Sequence, residues 1–215
     1  MEGIRGKAAA AVDAPALAVR LSNYPQVLVD LGTGDGRFVQ HIARTRPTWF
    51  VIGVDTCREN LRAASHRAPC NVLYLIADAL ALPRALDAVA TQITINFPWG
   101  SLLRGLLDGD AGLLAGLMAL GQPGATLDIR LNGGALAEVG WSLAAGGAQV
   151  RHALDASGFE VRPPLSLDAH ALRTCPTTWA KRLAFGRDPR ALYLHARRPA
   201  GVIRSPCERA TSGTA

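Results

Sequence analysis

The chain has few of the features that mark several common protein classes. Its 215 residues include four cysteines (Cys57, Cys70, Cys175 and Cys207), none in C-x-x-C spacing. That argues against a zinc ribbon or a disulfide framework and suits free thiols in a reducing cytoplasm. No run reaches the 18 or more apolar residues of a membrane span. The N-terminal stretch carries Glu2, Arg5, Lys7 and Asp13 and lacks the charged-then-apolar order of a signal peptide. There is no Gly-Lys-Ser/Thr for a phosphate loop, and no internal repeat. Only two of the 23 basic residues are Lys. The rest are Arg, which suits planar phosphate forks. Hydrophobic residues make up 49%, enough for the core of one large α/β domain.

The net charge of +6 is concentrated at one end. Between Lys181 and Arg209 stand eight basic residues (Lys181, Arg182, Arg187, Arg190, Arg197, Arg198, Arg204 and Arg209), opposed only by Asp188 and Glu208. The remainder holds 15 basic and 15 acidic residues and is neutral. A localised excess of this kind is what a polyanion-binding face requires.

Apolar runs at Gln26–Leu31, Phe50–Val54, Asn71–Ala77, Thr91–Ile95 and Ala125–Leu131 read as buried strands. Helical spacing at residues 36–46 and 58–67 separates the first three. A Leu-rich stretch, 101–120, reads as one long helix closed by Gly121-Gln122-Pro123-Gly124. The alternation predicts a doubly wound, mostly parallel sheet with helices on both faces. Residues 149–157 read as a further helix, 159–162 and 191–196 as the last two strands, and 199–215 as a disordered tail. The connection from 163 to 189 is unusually long, and such connections are often functional. The expectation is one domain over residues 1–198, with a core at about 26–132.

The first strand runs into Asp30-Leu-Gly32-Thr33-Gly34-Asp35-Gly36. Glycines there let a ligand approach the backbone, and the following helix offers amide donors. The spacing is not the dinucleotide G-x-G-x-x-G. Acids flanking the turn would repel a pyrophosphate but suit a ligand carrying an ammonium group and a sulfonium. Asp55, at the end of the second strand, is placed for ribose hydroxyls; Asp78 and Ala79, after the third, for an adenine edge; Asn96 ends the fourth. Together these features resemble the Rossmann-like class I S-adenosylmethionine-dependent methyltransferases. That resemblance implies a seven-stranded sheet with an antiparallel final strand and S-adenosylmethionine as methyl donor.

Two segments narrow the acceptor. Asn96-Phe97-Pro98-Trp99 directly follows the fourth strand, and Thr177-Thr178-Trp179-Ala-Lys181-Arg182-Leu lies in the long connection. Enzymes acting on a base hold it outside its stack between flat side chains, a contact worth about 1–3 kcal/mol per base. Trp99 and Trp179 are candidates for the two sides, and Trp49 and Trp141 for core packing. Both segments resemble the aminoglycoside-resistance methyltransferases that act on adenine 1408 of 16S ribosomal RNA. The resemblance rests on the glycine turn, on Phe97-Pro-Trp-Gly-Ser-Leu-Leu-Arg-Gly105, and on the Trp179-x-Lys/Arg-Arg-Leu pattern. It implies methyl transfer to N1 of that adenine in the 30S subunit, without a metal. It further implies that Trp99 and Trp179 stack the base, that Thr177 and Thr178 shape the pocket, and that Lys181, Arg182, Arg187 and Arg190 hold RNA. No oligomer is indicated, so a monomer is expected. N1 carries a lone pair and no proton, so no general base is needed. His41, His66, His152, His170 and His195 accordingly read as helix-surface or strand-end residues. The alternatives are methylation of the N6 amino group or another RNA base, since Asn96-Phe-Pro-Trp99 is similar to the Asp/Asn-Pro-Pro-aromatic motif of amino methyltransferases. A small-molecule N-methyltransferase, or a cofactor-binding RNA module without activity, are the others.

Overall fold

The computed structural model describes residues 1–185 and 190–200. In chain order the elements are β1 (Glu2–Arg5), β2 (Ala8–Ala11), α1 (Ala14–Leu21), β3 (Gln26–Leu31), α2 (Arg37–Thr45), β4 (Trp49–Asp55), α3 (Arg58–Ser65) and β5 (Val72–Ile76). There follow β6 (Ala90–Asn96), α4 (Gly100–Asp108), α5 (Ala111–Leu120), β7 (Gly121–Asn132), α6 (Gly133–Glu138) and α7 (Leu143–Ala156). The last elements are β8 (Glu160–Val161), β9 (Leu165–Leu167), α8 (Ala169–Thr174), α9 (Thr178–Phe185) and β10 (Ala191–Arg197).

One sheet has the order β2-β1-β5-β4-β3-β6-β7-β10-β8, with β9 also on β10. Neighbours from β5 to β7 are parallel, and β10 runs antiparallel to β7. The expected seven strands are therefore present as β5, β4, β3, β6, β7, β10 and β8. The described sheet has ten strands because the N-terminal hairpin β1–β2 adds to the edge of β5 and β9 to the end of β10. The run Ala8–Ala11 has no alternation to betray a strand; pairing with β1 supplies it.

Strand alternation explains the layers. Val27, Val29 and Leu31 of β3 face the main core with Phe50, Ile52 and the leucines of α4 and α5. Leu28 and Val51 face the other way, against Phe38 and Val39 of α2 and Leu61 of α3. The expected single helix over 101–120 is two. Gly109, at φ +67°, ends α4, and the Asp110 carboxylate accepts the Leu113 N–H at 2.8 Å to start α5. Gly121 closes α5 as expected, its N–H donating to Leu117 O, and Gly121-Gln122-Pro123-Gly124 at the same time opens β7, with a register shift opposite β6. The long connection is also not structureless: it holds β9, α8 and α9.

From β3 the chain winds outward through β4 to β5, then returns to β6 on β3's other side. That reversal opens a crevice at the carboxyl ends of β3 and β6, where the glycine turn and the Asn96–Trp99 turn leave the sheet.

Candidate active site

A cleft of about 420 Å³ occupies this crevice. Its inner wall is the end of β3. Asp30 is buried, and its Oδ1 accepts from Thr94 Oγ1 at 2.7 Å and from Asn96 Nδ2 at 2.9 Å. Burial pushes the Asp30 carboxyl up to about 6, tempered by those hydrogen bonds and by the Arg130 guanidinium. Asn96 Oδ1 in turn accepts from Arg130 Nη1 at 2.7 Å.

The glycine turn is shaped from both sides. A Cβ on Gly36 would meet Ala64 Cβ and the Tyr74 hydroxyl, each at 2.6 Å, so packing alone demands glycine there. Gly34, at φ +54°, has no atom within 4 Å of where its Cβ would stand, because that space is the cleft. Asp55, at the end of β4, accepts from Gly34 N with Oδ2 and from Cys57 N with Oδ1, both at 2.8 Å. Each oxygen keeps a second lone pair for a ligand. Asp78 is exposed at the rim, where Oδ1 accepts from Leu80 N at 3.0 Å and starts the short 3-10 turn Ala79–Ala81.

The outer wall is aromatic. Phe97 sits at φ +54°, a region that a bulky side chain rarely adopts and that costs on the order of 1–3 kcal/mol. It is held there by burial among Leu172, Cys175, Ala180 and Ala191, and its N–H donates to Arg130 O at 2.8 Å. The turn thus aims Pro98 and Trp99 over the cleft. From across the cleft, α9 brings Trp179, which is 39% exposed. The two indoles stack on each other, with ring centres 5.1 Å apart and planes inclined by 31°. Arg182 Cζ lies 5.2 Å from the Trp179 ring centre. Thr177 Oγ1 accepts from Ala180 N at 2.9 Å and starts α9, while Thr178 Oγ1 donates to Asp35 Oδ2 at 2.5 Å. The helix bearing Trp179 is thereby tied to the glycine turn.

The family described as NpmA: 16S rRNA (adenine(1408)-N(1))-methyltransferase matches residues 2–198. The chain belongs to that family. A 16S rRNA (adenine(1408)-N(1))-methyltransferase of Escherichia coli is 31% identical over 188 residues, spanning 78% of this chain and 84% of the relative. Among solved structures, the 16S rRNA methyltransferase KamB superposes with a TM-score of 0.83 at 27% identity, covering 93% of this chain and all of the other. A tryptophan-to-alanine mutant of the corresponding enzyme from Catenulisporales acidiphilia, solved with cosubstrate SAM, gives 0.80 at 28% identity, over 96% of this chain and 99% of the other.

Of the residues expected at an adenine-1408 methyltransferase site, thirteen line the one cleft. They are Asp30, Gly32, Thr33, Gly34, Asp55, Asp78, Ala79, Asn96 and Trp99 from the sheet ends, with Thr177, Thr178, Trp179 and Arg182 from the connection. Lys181 is exposed on α9 outside the cleft lining. Arg190 is exposed beside β10, where its carbonyl accepts from Gly133 N at 2.9 Å. Arg187 and the tail from 201 lie outside the described residues, as do Arg204 and Arg209 of the basic stretch. Trp49 and Trp141 pack against the two cores, as expected. One histidine departs from expectation. His195 lies within β10, half-buried, with Nδ1 2.8 Å from Asp128 Oδ1, because these strands carry a polar row on one face. Arg130 escaped sequence reading, although Asp128 and Arg130 alternate with Leu127, Ile129 and Leu131 in a stretch read as buried.

Proposed function

We propose that the protein transfers a methyl group from S-adenosylmethionine to N1 of adenine 1408 in the 16S rRNA of the 30S subunit, conferring aminoglycoside resistance. One observation carries the reading: the acidic glycine-turn wall and the Trp99–Trp179 pair face each other across a single cleft.

The residues fit such a cosubstrate. Gly34 leaves open space at a positive φ, and Trp99 Nε1 is buried without a hydrogen-bond partner among the described residues. Buried polar atoms of this kind call for a ligand. On this reading Asp55 accepts the ribose hydroxyls, Asp78 and Ala79 meet the adenine edge, and Asp30, Asn96 and the Gly32–Gly34 backbone hold the methionine end. When bound, S-adenosylmethionine supplies a methyl group activated on sulfonium. The chain's own task is positioning. Trp99 and Trp179 take the flipped base between them, and their faces favour the positive charge that builds on it by about 1 kcal/mol or more. Two stacking separations of about 3.4 Å each are needed for that, about 7 Å in all, so the indoles at 5.1 Å must part. Thr177 and Thr178 shape the outer wall, and Lys181, Arg182, Arg187 and Arg190 hold flanking phosphates.

The amino-group alternative needs a free acceptor at Asn96. Its Oδ1 takes Arg130 Nη1 at 2.7 Å and keeps a second lone pair, so experiment separates the two acceptors. Among the described residues no helix is long and apolar enough to cross a membrane. The reading puts residues 1–198 to work as one monomeric methyltransferase in the cytoplasm, where the subunits are. Primer extension on 30S subunits incubated with protein and S-adenosylmethionine tests it. A stop at adenine 1408 is expected, because N1 methylation blocks the Watson–Crick edge. Read-through with methyl incorporation would transfer the activity to an amino group or another site.

A further inference from the structure

Arg130 lies on β7, outside the cleft lining, yet it holds one residue of the cleft's outer wall and one of its inner wall. Its carbonyl accepts from Phe97 N at 2.8 Å, and its Nη1 donates to Asn96 Oδ1 at 2.7 Å. Behind it, Cζ stands 5.4 Å from the Tyr193 ring centre, and the Tyr193 hydroxyl donates to Asp128 Oδ1 at 2.5 Å. The guanidinium is thus held from the rear and has one direction in which to act.

The consequence falls on Asn96. A carboxamide between a guanidinium and a carboxylate has one orientation that satisfies both neighbours, oxygen toward the cation and nitrogen toward the anion. Arg130 therefore sets which way Asn96 points, and so ensures that Asp30 receives a donor. Both hydrogen bonds to Asp30 fall on Oδ1.

We infer that Arg130 is a positioning residue for the cofactor: through Asn96 it orients and electrostatically sustains the ionised Asp30 carboxylate that faces the cleft. The inference rests on the methyl-transfer reading above. The titratable groups around Asp30 are Arg130 from β7, the Tyr74 phenol from β5, the Cys175 thiol that follows α8, and the carboxylates of Asp35 and Asp55 that line the same cleft. Burial raises both the phenol and the thiol, so each is neutral near pH 7, and the charge that opposes protonation of Asp30 is that of Arg130. A cationic ligand requires the ionised carboxylate, so affinity falls as pH drops through the Asp30 midpoint at about 6. Without the guanidinium the midpoint moves up, and the loss begins nearer neutrality.

Calorimetric titration of the full chain with S-adenosylmethionine, from about pH 5 to about pH 8, separates this role from a merely structural one. Arg130→Met is expected to raise the midpoint of the affinity profile and to weaken binding at pH 7 by about tenfold. Arg130→Lys is expected to return the midpoint while recovering only part of the affinity, because an ammonium restores the charge but not the planar fork. Affinity for 30S subunits, measured in parallel, stays within about twofold. A uniform loss at every pH with the wild-type midpoint would overturn the inference, as would wild-type affinity. Loss of subunit binding with cofactor affinity intact would make Arg130 an RNA contact instead. If Arg130→Met does not melt cooperatively, Arg130→Gln takes its place: a raised midpoint supports the role, and the wild-type midpoint refutes it. A wild-type chain that binds no S-adenosylmethionine at any pH would refute the methyl-transfer reading first. One that binds with a flat profile would refute only the role of Arg130.

Discussion

The cofactor wall of the cleft grows out of buried strand ends, and Trp99 also leans on the main core, whereas the Trp179 side of the base wall hangs on short helices gathered around one phenylalanine. Asp30 and Asp55 belong to β3 and β4, whose flanks reach into both major cores, and backbone amides hold the Asp55 carboxylate in place. Trp179 belongs to α9, held by the small cluster around Phe97 and by the Thr178–Asp35 hydrogen bond. The contrast suits the work proposed for each side. A small, constant ligand meets a preformed wall, while a base drawn from a large RNA meets a wall that can give way. Regions with few buried contacts open at the lowest free-energy cost.

The largest effect is expected where the base wall is anchored. Phe97→Ala should cost about 3–5 kcal/mol of stability, read from urea unfolding. Hydrogen exchange should quicken over residues 169–185 well before it does in β3 and β4. Uniform loss of protection across the sheet would instead make Phe97 an ordinary core residue. Next comes a reciprocal pair. Asp55→Ala removes an acceptor for two amides and should weaken S-adenosylmethionine binding on the order of a hundredfold, with 30S affinity kept. Trp179→Ala should lower methyl transfer by about ten- to a hundredfold, with cofactor affinity within about twofold. Equal losses of cofactor binding in both variants would erase the division between the walls. The smallest effect is expected for Thr178→Val, which removes one exposed hydroxyl. A two- to fivefold rise in KM for the subunit, about 0.5–1 kcal/mol, would show that the tie to Asp35 tunes the outer wall. No change would leave Phe97 as its effective anchor.

The same contrast governs what was legible in the sequence. The glycine turn announces itself because its constraints are local: a strand and three positive-φ glycines follow one another within eleven residues, 26–36, and a helix starts at Arg37. Trp99 and Trp179 were visible as residue types in unusual surroundings. What tethers them was not. Phe97 reads as a departure from an amino-methyltransferase motif, yet it is the buried post on which α8 and α9 rest, a role set by partners some 75 or more positions away. Those helices are too short for periodicity to reveal, so the connection looked irregular. The break at Gly109-Asp110 was hidden for the opposite reason, since leucines on both sides sustain one apolar pattern. Arg130 acts through a cross-strand pairing, which depends on register rather than on spacing.

The stacked indoles also make the free protein its own optical probe. Two of the four tryptophans lie with ring centres 5.1 Å apart, while Trp49 sits beneath Arg46 and Trp141 against the main core. Chromophores that close exchange excitation and give a paired signal in circular dichroism that isolated indoles lack. A purine sliding between them would break that exchange, so the entry of the base could be timed in solution, with no label and before any methyl group moves.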